Sequence, residues 1–360
     1  MYEAKRMTTL ADKYRQFFTD RSPGQILATI CPYTFELDYT QWGYAPRRLD
    51  SWDFETQLRA YVREGVEKHR CFMAYTRGLD NDYVPAVGVN FGYGAHSAYF
   101  SGMPVILGDD TSWTHPLIED WERFDWSALR EDEHNPWYQR ILAAYDLLVE
   151  MNEGDYAISA FCNAGPGDMA NAIRGNDLFY DLYDEPEQVH RLMTRCADAF
   201  IWLEEAIQRR IGPVHGGNVT ANMWFPGSAP YLSEDFNDLL PPELYAQFGR
   251  VHTQRLLDHF GGAYIHHHAK GYQVHSLVSS LNHLKMVELS WDPNCPRPID
   301  RLEAVREMTG DVPLMIRCHA RDVYPNIEAL RAGRTVVMLN IDTLEEGREV
   351  MRFIRKHSII

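Results

Sequence analysis

The sequence predicts an α/β protein built as a (β/α)8 barrel with a helical elaboration at its N-terminus. Three observations predict it. In the C-terminal half, short apolar runs alternate with amphipathic helical patterns at intervals of about 25 residues, the signature of parallel strands joined by right-handed crossovers. The competing open sheet needs a G-x-G-x-x-G loop after an early strand, whereas GVNFGYGAHSAYF (88–100) has the wrong glycine spacing and no clear helix behind it. The 360-residue length suits one barrel with an addition, because such barrels run past about 250 residues as a single domain. The expected division is an elaboration over 1–75 packed on a barrel over 76–360.

From the N-terminus, MYEAKRMTTLADKYRQFF interrupts every apolar run with polar residues, so it lacks the roughly 7–15-residue apolar core of a secretion signal. No later stretch approaches the roughly 18 unbroken apolar residues of a membrane span. DTSWTHP, around Trp113, and ISAFCNAG (158–165) end predicted strands. PEQVHRLMTRCADAFIWLEEAIQRRI (186–211) puts Val189, Leu192, Met193, Cys196, Phe200, Leu203 and Ile207 on one stripe, which predicts a long amphipathic helix. PPELYAQFGRVHTQRLLDHFGG (241–262) opens on two prolines and closes on Gly-Gly, the start and stop signals of an outer helix. The strands AYIHHH (263–268), KMVELSW (285–291), PLMIRCH (313–319) and TVVMLNI (335–341) follow, with helices IDRLEAVREMTG (299–310) and VYPNIEALRAG (323–333) among them.

Composition narrows the function classes. With 45% hydrophobic and 24% charged residues the chain is neither disordered nor collagen-like. Its 35 basic against 51 acidic residues leave a net charge of −16 with the basic residues scattered, which argues against nucleic-acid and anionic-membrane partners. The six cysteines lie far apart with no C-x-x-C pair, which fits a reducing compartment and makes the cytoplasm the expected location.

Chemistry in a barrel sits where strands end. In Tyr264-Ile265-His266-His267-His268 the alternation of a strand puts His266 and His268 on one face and His267 on the other, so two imidazoles converge on one point. Zn²⁺ takes imidazole nitrogen at about 2.0–2.1 Å, and a catalytic site needs three protein ligands. The third must come from another strand end, where Cys318, His319, Asp292 and Cys295 are available; Cys318 completes the expected set. Glu234 and Asp235, in a loop before a helix, are candidate proton donors or ligands to substrate hydroxyls. Asn90, Phe91 and Tyr93 among glycines, Trp113, Phe161 with Asn163, and Trp224 are candidate substrate-lining residues at the same mouth.

Three stretches carry a family resemblance. GPGDMANAIRGNDLFYDLYDEPEQVHRLM (165–193), WFPGSAPYLSEDFNDLLPPELYAQFGRVHTQRLL (224–257) and GGAYIHHHAKG (261–271) are similar, in order and spacing, to blocks of the uroporphyrinogen decarboxylase superfamily. That superfamily also contains zinc-dependent, corrinoid-linked methyltransferases. The resemblance implies a TIM-type (β/α)8 barrel, and in its methyltransferase branch the third block supplies zinc ligands. The arginine motif of true uroporphyrinogen decarboxylases is absent from ILATICPYTFELDYTQWGYAPRR (26–48), and LNIDTLEEG (339–347) replaces their C-terminal Gly-His-Gly. Against the methyltransferases' His-x-Cys and distant Cys, this chain has His266-x-His268 and no cysteine near Asn340 to Asp342. Imidazole in place of thiolate leaves the ion more positive and harder, which favours oxygen substrates.

The function expected is therefore metal-dependent methyl transfer between a small methylated, or methoxylated, substrate and a corrinoid protein. Zinc is the expected metal; the corrinoid sits on a separate partner, because no corrinoid-binding Asp-x-His-x-x-Gly motif is present. A decarboxylase acting on a carboxylated small molecule and a non-catalytic ligand-binding barrel are the alternatives. The small molecule, a corrinoid protein and a second copy of the chain are the candidate partners.

Overall fold

The computed structural model describes residues 2–30 and 47–360, the side chains of 2–5 excepted, so most of the 26–48 segment lies outside the described residues. In chain order the strands are β1 (Gln25–Ile30), β2 (Ala86–Val87), β3 (Val105–Leu107), β4 (Ser112–Thr114), β5 (Ala157–Ile158), β6 (Cys162–Ala164), β7 (Gly217–Thr220), β8 (Met223–Pro226), β9 (Tyr231–Ser233), β10 (Ala263–His268), β11 (Leu284–Ser290), β12 (Leu314–His319) and β13 (Arg334–Asn340). A seven-stranded parallel sheet runs β1-β13-β12-β11-β10-β9-β6. β2 pairs with β5 in parallel, and β3–β4 and β7–β8 are antiparallel pairs.

β5 and β6 are three residues apart, so the main path visits its neighbours in chain order, an arrangement compatible with the expected barrel. Among the described residues no ladder joins β1 to β2. Asp82, just before β2, makes the nearest link: its N–H donates to Ala28 O and its Oδ2 accepts from Ala28 N–H, both at 2.7 Å. β1 comes from inside the 1–75 stretch expected as an elaboration, so residues 25–30 are sheet.

Alternation divides the strands into two faces. Ile265, Val287, Leu289, Ile316, Val337 and Leu339 pack into the large cluster shared with the helices. Tyr264, Met286, Met315, Val336 and Met338 join a second cluster with Met7, Leu10, Ala11, Tyr14 and Phe17 of the helix Tyr2–Thr19. That helix docks at the N-terminal ends of the strands, where Tyr14 Oη donates to Asp82 O (3.1 Å) and Arg334 Nη1 to Phe17 O (3.3 Å). Burying one large apolar side chain contributes about 1.5–3 kcal/mol, against about 0–1 kcal/mol for an exposed ion pair such as Arg15–Asp12. Packing therefore seats this helix, and the opposite end of the sheet is left for chemistry.

The helix Pro186–Ile211 forms as its stripe predicts, with proline in the first turn and all seven stripe residues buried. The expected 241–262 helix is interrupted: Pro242–Leu244 and Arg250–Phe260 flank a π-turn at Tyr245–Gly249. A Cβ on Gly249 would collide with Asn237 Oδ1, so only glycine lets this turn close on the loop after β9. The chain leaves the helix through Gly261 at φ +70°, the left-handed conformation that glycine adopts at a helix end. Two shorter elements also differ from expectation. A seven-residue helix, Ala95–Ser101, follows the glycine-rich segment, and the last inter-strand helix starts at Ala320 because His319 caps it. Among the described residues no helix is long and apolar enough to cross a membrane.

Candidate metal centre

At the C-terminal end of β10 the two predicted imidazoles meet: His266 Nε2 lies 3.0 Å from His268 Nε2. The register places Ser233 of β9 beside His266, and the chain turns immediately afterwards, bringing Asp235 Oδ1 to 3.4 Å from His268 Nε2. Ser233 Oγ donates to the same Asp235 oxygen at 2.9 Å. Asp235, His266 and His268 thus offer one donor atom each within 4.8 Å of one another.

Each ring is braced from behind by a carboxylate. His266 Nδ1 lies 2.7 Å from Glu288 Oε2, and His268 Nδ1 lies 3.0 Å from Asp292 Oδ1. Glu288, on β11 directly across from His266, is fully buried, accepts from the Tyr264 hydroxyl and from Arg317 Nη2 (3.4 Å), and forms an ion pair with Arg317. Burial alone would raise its pKa; Arg317, then His266 and Tyr264, outweigh burial and hold the carboxyl well below its usual range. An ionised carboxylate accepts the Nδ1–H of His266 and fixes the ring with Nε2 toward His268. His268 Nδ1 lies 3.0 Å from Asp292 Oδ1 without the angle of a hydrogen bond, the two Nε2 atoms face each other at 3.0 Å, and the Asp235 oxygen stands beside them. Two imidazoles with one carboxylate are a donor set for a divalent transition ion.

The recess is reached by solvent although it lies in the middle of the sheet. Tyr231, Asp235, His268 and Arg317 are half-buried and Cys162 is exposed, above the apolar floor of Tyr264, Met286 and Met315. Tyr231 stacks on His266, ring centroids 5.8 Å apart.

Support continues outward. Asp168, in the first turn of the helix Pro166–Arg174, accepts from the backbone N–H groups of Asp235 (3.2 Å) and Phe236 (2.5 Å) and so fixes the loop that carries Asp235. Burial, and next the charge of Asp235, raise the pKa of Asp168. His267, facing the helices, begins a buried chain. Its Nδ1 meets Asp238 Oδ1 (2.9 Å), its Nε2 meets His275 Nδ1 (2.7 Å), and His275 Nε2 meets Thr309 Oγ1 (2.8 Å). Thr309 donates to Val305 O, so it accepts from His275 and each proton in the chain points outward. Asp238 Oδ2 in turn accepts from His268 N–H (2.6 Å), tying this network to the end of β10.

Of the predicted residues, the structure brings together His266, His268 and Asp235, the last as a third donor where a proton-transfer role was expected. Cys318 is not in the group: it lies on the face of β12 that packs with Leu314 and Ile316 against the helices. His319 belongs to a separate cluster with Asp342 and Glu346, and Asp292 acts from behind His268. Glu234 is buried beside Gly165, accepts from Thr253 Oγ1 (2.6 Å) and Asn237 Nδ2, and burial pushes its carboxyl up to about 8. It shapes the loop and does not face the recess.

The substrate-lining expectations divide in the same way. Tyr93 lies beside Asp168, Ser233 and Asp235, and burial followed by those carboxylates raises its pKa. Phe161 and Asn163 alternate with Cys162 and face the helices: Phe161 packs on His96 and Tyr145, and Asn163 is fully buried. Phe91 is buried among Phe54, Tyr61 and Trp137. Asn90 is exposed and turns its loop by accepting from Gly92 N–H, and Trp113 is 47% exposed with its backbone against Gly94. Trp224 lies at the other end of the sheet, in the cluster with the first helix, its Nε1 donating to Val214 O (2.7 Å). Sequence reasoning passed over Glu288, Asp168 and Cys162. For Glu288 the signal was present, because in Leu284–Ser290 it is the one acid on the same alternate positions as Met286.

No family model matches this chain, and no curated protein matches it. Among solved structures it is similar to a methyltransferase from Methanosarcina mazei, at 12% identity over 96% of this chain and 98% of that chain, with a TM-score of 0.63. At that identity the likeness is one of fold.

Proposed function

We propose that this protein is a metal-dependent methyltransferase on a closed (β/α)8 barrel, moving a methyl group from a small oxygen-bound methyl donor to a corrinoid protein. The observation that carries the reading is the pair of carboxylate-braced imidazoles whose Nε2 atoms face each other at 3.0 Å beside Asp235. The likeness in fold to a methyltransferase supports the choice of reaction among the chemistries a metal site can perform.

Asp235, His266 and His268 would hold the ion, with zinc the expectation from the sequence. A bound divalent ion polarises a substrate oxygen as a Lewis acid. The chain's own residues supply the rest. Glu288 fixes the tautomer and ring plane of His266, with Asp292 beside His268 Nδ1, and second contacts of this kind typically account for about 10–100-fold in metal affinity. Asp168 holds the Asp235 loop through two backbone hydrogen bonds. Tyr231, stacked on His266, forms a wall for the donor molecule. In the transfer, the electron pair of the reduced acceptor bonds to the methyl carbon while the carbon–oxygen bond breaks with its pair remaining on oxygen.

The test is methyl transfer to reduced corrinoid from a panel of methyl ethers and methylamines, with metal-loaded wild type and His266→Ala/His268→Ala. Turnover of an ether that the double variant and the metal-free protein lack is the expected result. No transfer above the metal-free control from any donor would remove this reading.

A further inference from the structure

The donor set also says how the substrate reaches the ion. Among the described residues only Asp235, His266 and His268 contribute donors to this group. The other nearby groups are committed elsewhere: Glu288 and Asp292 to the Nδ1 sides of the rings, Asp168 to two backbone N–H groups, Glu234 to Thr253 and Asn237. Cys162 pairs in register with Tyr231, two residues below Ser233, which is level with His266. Cys318 faces the helices.

All three donors therefore approach from one side, the C-terminal end of β10 and the adjoining loop after β9. The Nε2 atoms of His266 and His268 lie 3.0 Å apart, within reach of one ion. A three-donor face of two imidazoles and one carboxylate is the arrangement that leaves neighbouring positions of an ion open. The open side is the solvent-reached recess walled by Tyr231 and Cys162.

We propose that this site takes a substrate through two adjacent oxygens, as in a vicinal hydroxyl–methoxyl or hydroxyl–carboxylate pair, which occupy neighbouring positions of the ion left open by the Asp235–His266–His268 face. The inference rests on the metal-dependent reading above. It adds a substrate class: molecules with paired oxygens are preferred over those with a single ether or hydroxyl oxygen. Asp235 carries the selectivity, because it is the one donor of the three that comes from a loop and not from β10.

The experiment uses the full chain loaded with Co²⁺, whose visible spectrum distinguishes four-coordinate from five- or six-coordinate ions by intensity. Two chromophoric probes are titrated, 4-nitrocatechol with paired oxygens and 4-nitrophenol with one. The expected result is a weak band for the ion alone and saturable one-to-one binding of 4-nitrocatechol with a metal-dependent colour shift, at least ten-fold tighter than 4-nitrophenol. Asp235→Asn should lower that preference while His266 and His268 still bind Co²⁺, whereas Cys318→Ser should leave both probes unchanged. Equal affinity for the two probes, or an intense four-coordinate band that 4-nitrocatechol does not alter, would overturn the paired-oxygen inference and leave the metal site standing. Failure of the folded wild type to bind Co²⁺ would overturn both.

Discussion

Two groups of histidine and carboxylate stand at strand ends in this protein, and by donor count they are alike: Asp235, His266 and His268 at β9–β10, and His319, Asp342 and Glu346 at β12–β13. Their second contacts separate them. In the first, His266 Nδ1 is hydrogen-bonded to Glu288, His268 Nδ1 lies 3.0 Å from Asp292, and the two Nε2 atoms are turned toward each other at 3.0 Å. In the second, His319 Nδ1 accepts the Arg321 N–H (3.3 Å) while His319 N–H donates to Asp322 (3.1 Å), a reciprocal cap on the helix Ala320–Arg331. With Nδ1 used as an acceptor, Nε2 of His319 carries the proton and donates to Asp342 at 3.1 Å. On the proposed reading the first group receives a cation, whereas the second starts a helix; the ring nitrogen that each histidine commits to a neighbour separates the two.

The sharpest way to break this comparison is to remove each group in turn. His266→Ala/His268→Ala should abolish stoichiometric metal, measured by elemental mass spectrometry on untagged protein, whereas Asp342→Ala/Glu346→Ala should leave the metal content at the wild-type level. Loss of metal in the second variant would mean that the tautomer argument is wrong. Glu288→Gln removes the charge behind His266 and keeps its shape; we expect metal affinity to fall about 10–100-fold by competition with a chromophoric chelator. An unchanged affinity would reduce Glu288 to a packing role.

A pH effect away from both groups gives a control of intermediate size. Glu204, buried on the helix Pro186–Ile211, has its carboxyl pushed up to about 7 by burial. A folded pKa above the unfolded one means that its stabilisation is complete below the unfolded carboxylate range and is lost as pH rises through about 7, by up to about 1.4 kcal/mol for each pH unit crossed. Denaturant unfolding of Glu204→Gln should therefore lose this slope between roughly pH 4.5 and 7 with metal binding unchanged. The smallest effect belongs to the cap: His319→Ala should cost about 1 kcal/mol of stability and His319→Asn much less, neither touching the metal.

The same contrast explains what could be read from the sequence. His266 and His268 were legible because strand alternation alone puts them on one face, and a run of three histidines makes the alternation visible. Applied to PLMIRCH, the same rule puts Arg317 and His319 on the inner face and Cys318 on the outer, so Cys318 was excluded by information already present. In ISAFCNAG it selects Cys162 over Phe161 and Asn163. Asp235 was recognised as a site residue, but its place beside the two imidazoles was not, since a loop acid reaches them only when pairing brings β9 alongside β10. Trp224 was misplaced because the β7–β8 hairpin between the long helix and β9 turns back to the N-terminal ends of the strands, a long-range placement that no local pattern specifies. The strands β10 to β13 and the helices at 186–211, 299–310 and 323–333 were legible, whereas β7 to β9 were not named; nor was the π-turn at Tyr245–Gly249, because it answers a tertiary contact with Asn237.

The central claim is that the ion site is made of two imidazoles and one carboxylate with no sulfur. X-ray absorption spectroscopy of the full chain loaded with one equivalent of Zn²⁺ tests it most directly. The account predicts a first shell of nitrogen and oxygen at about 2.0–2.2 Å with imidazole back-scattering from two rings. A sulfur shell at about 2.3 Å, persisting in His266→Ala/His268→Ala, would contradict it.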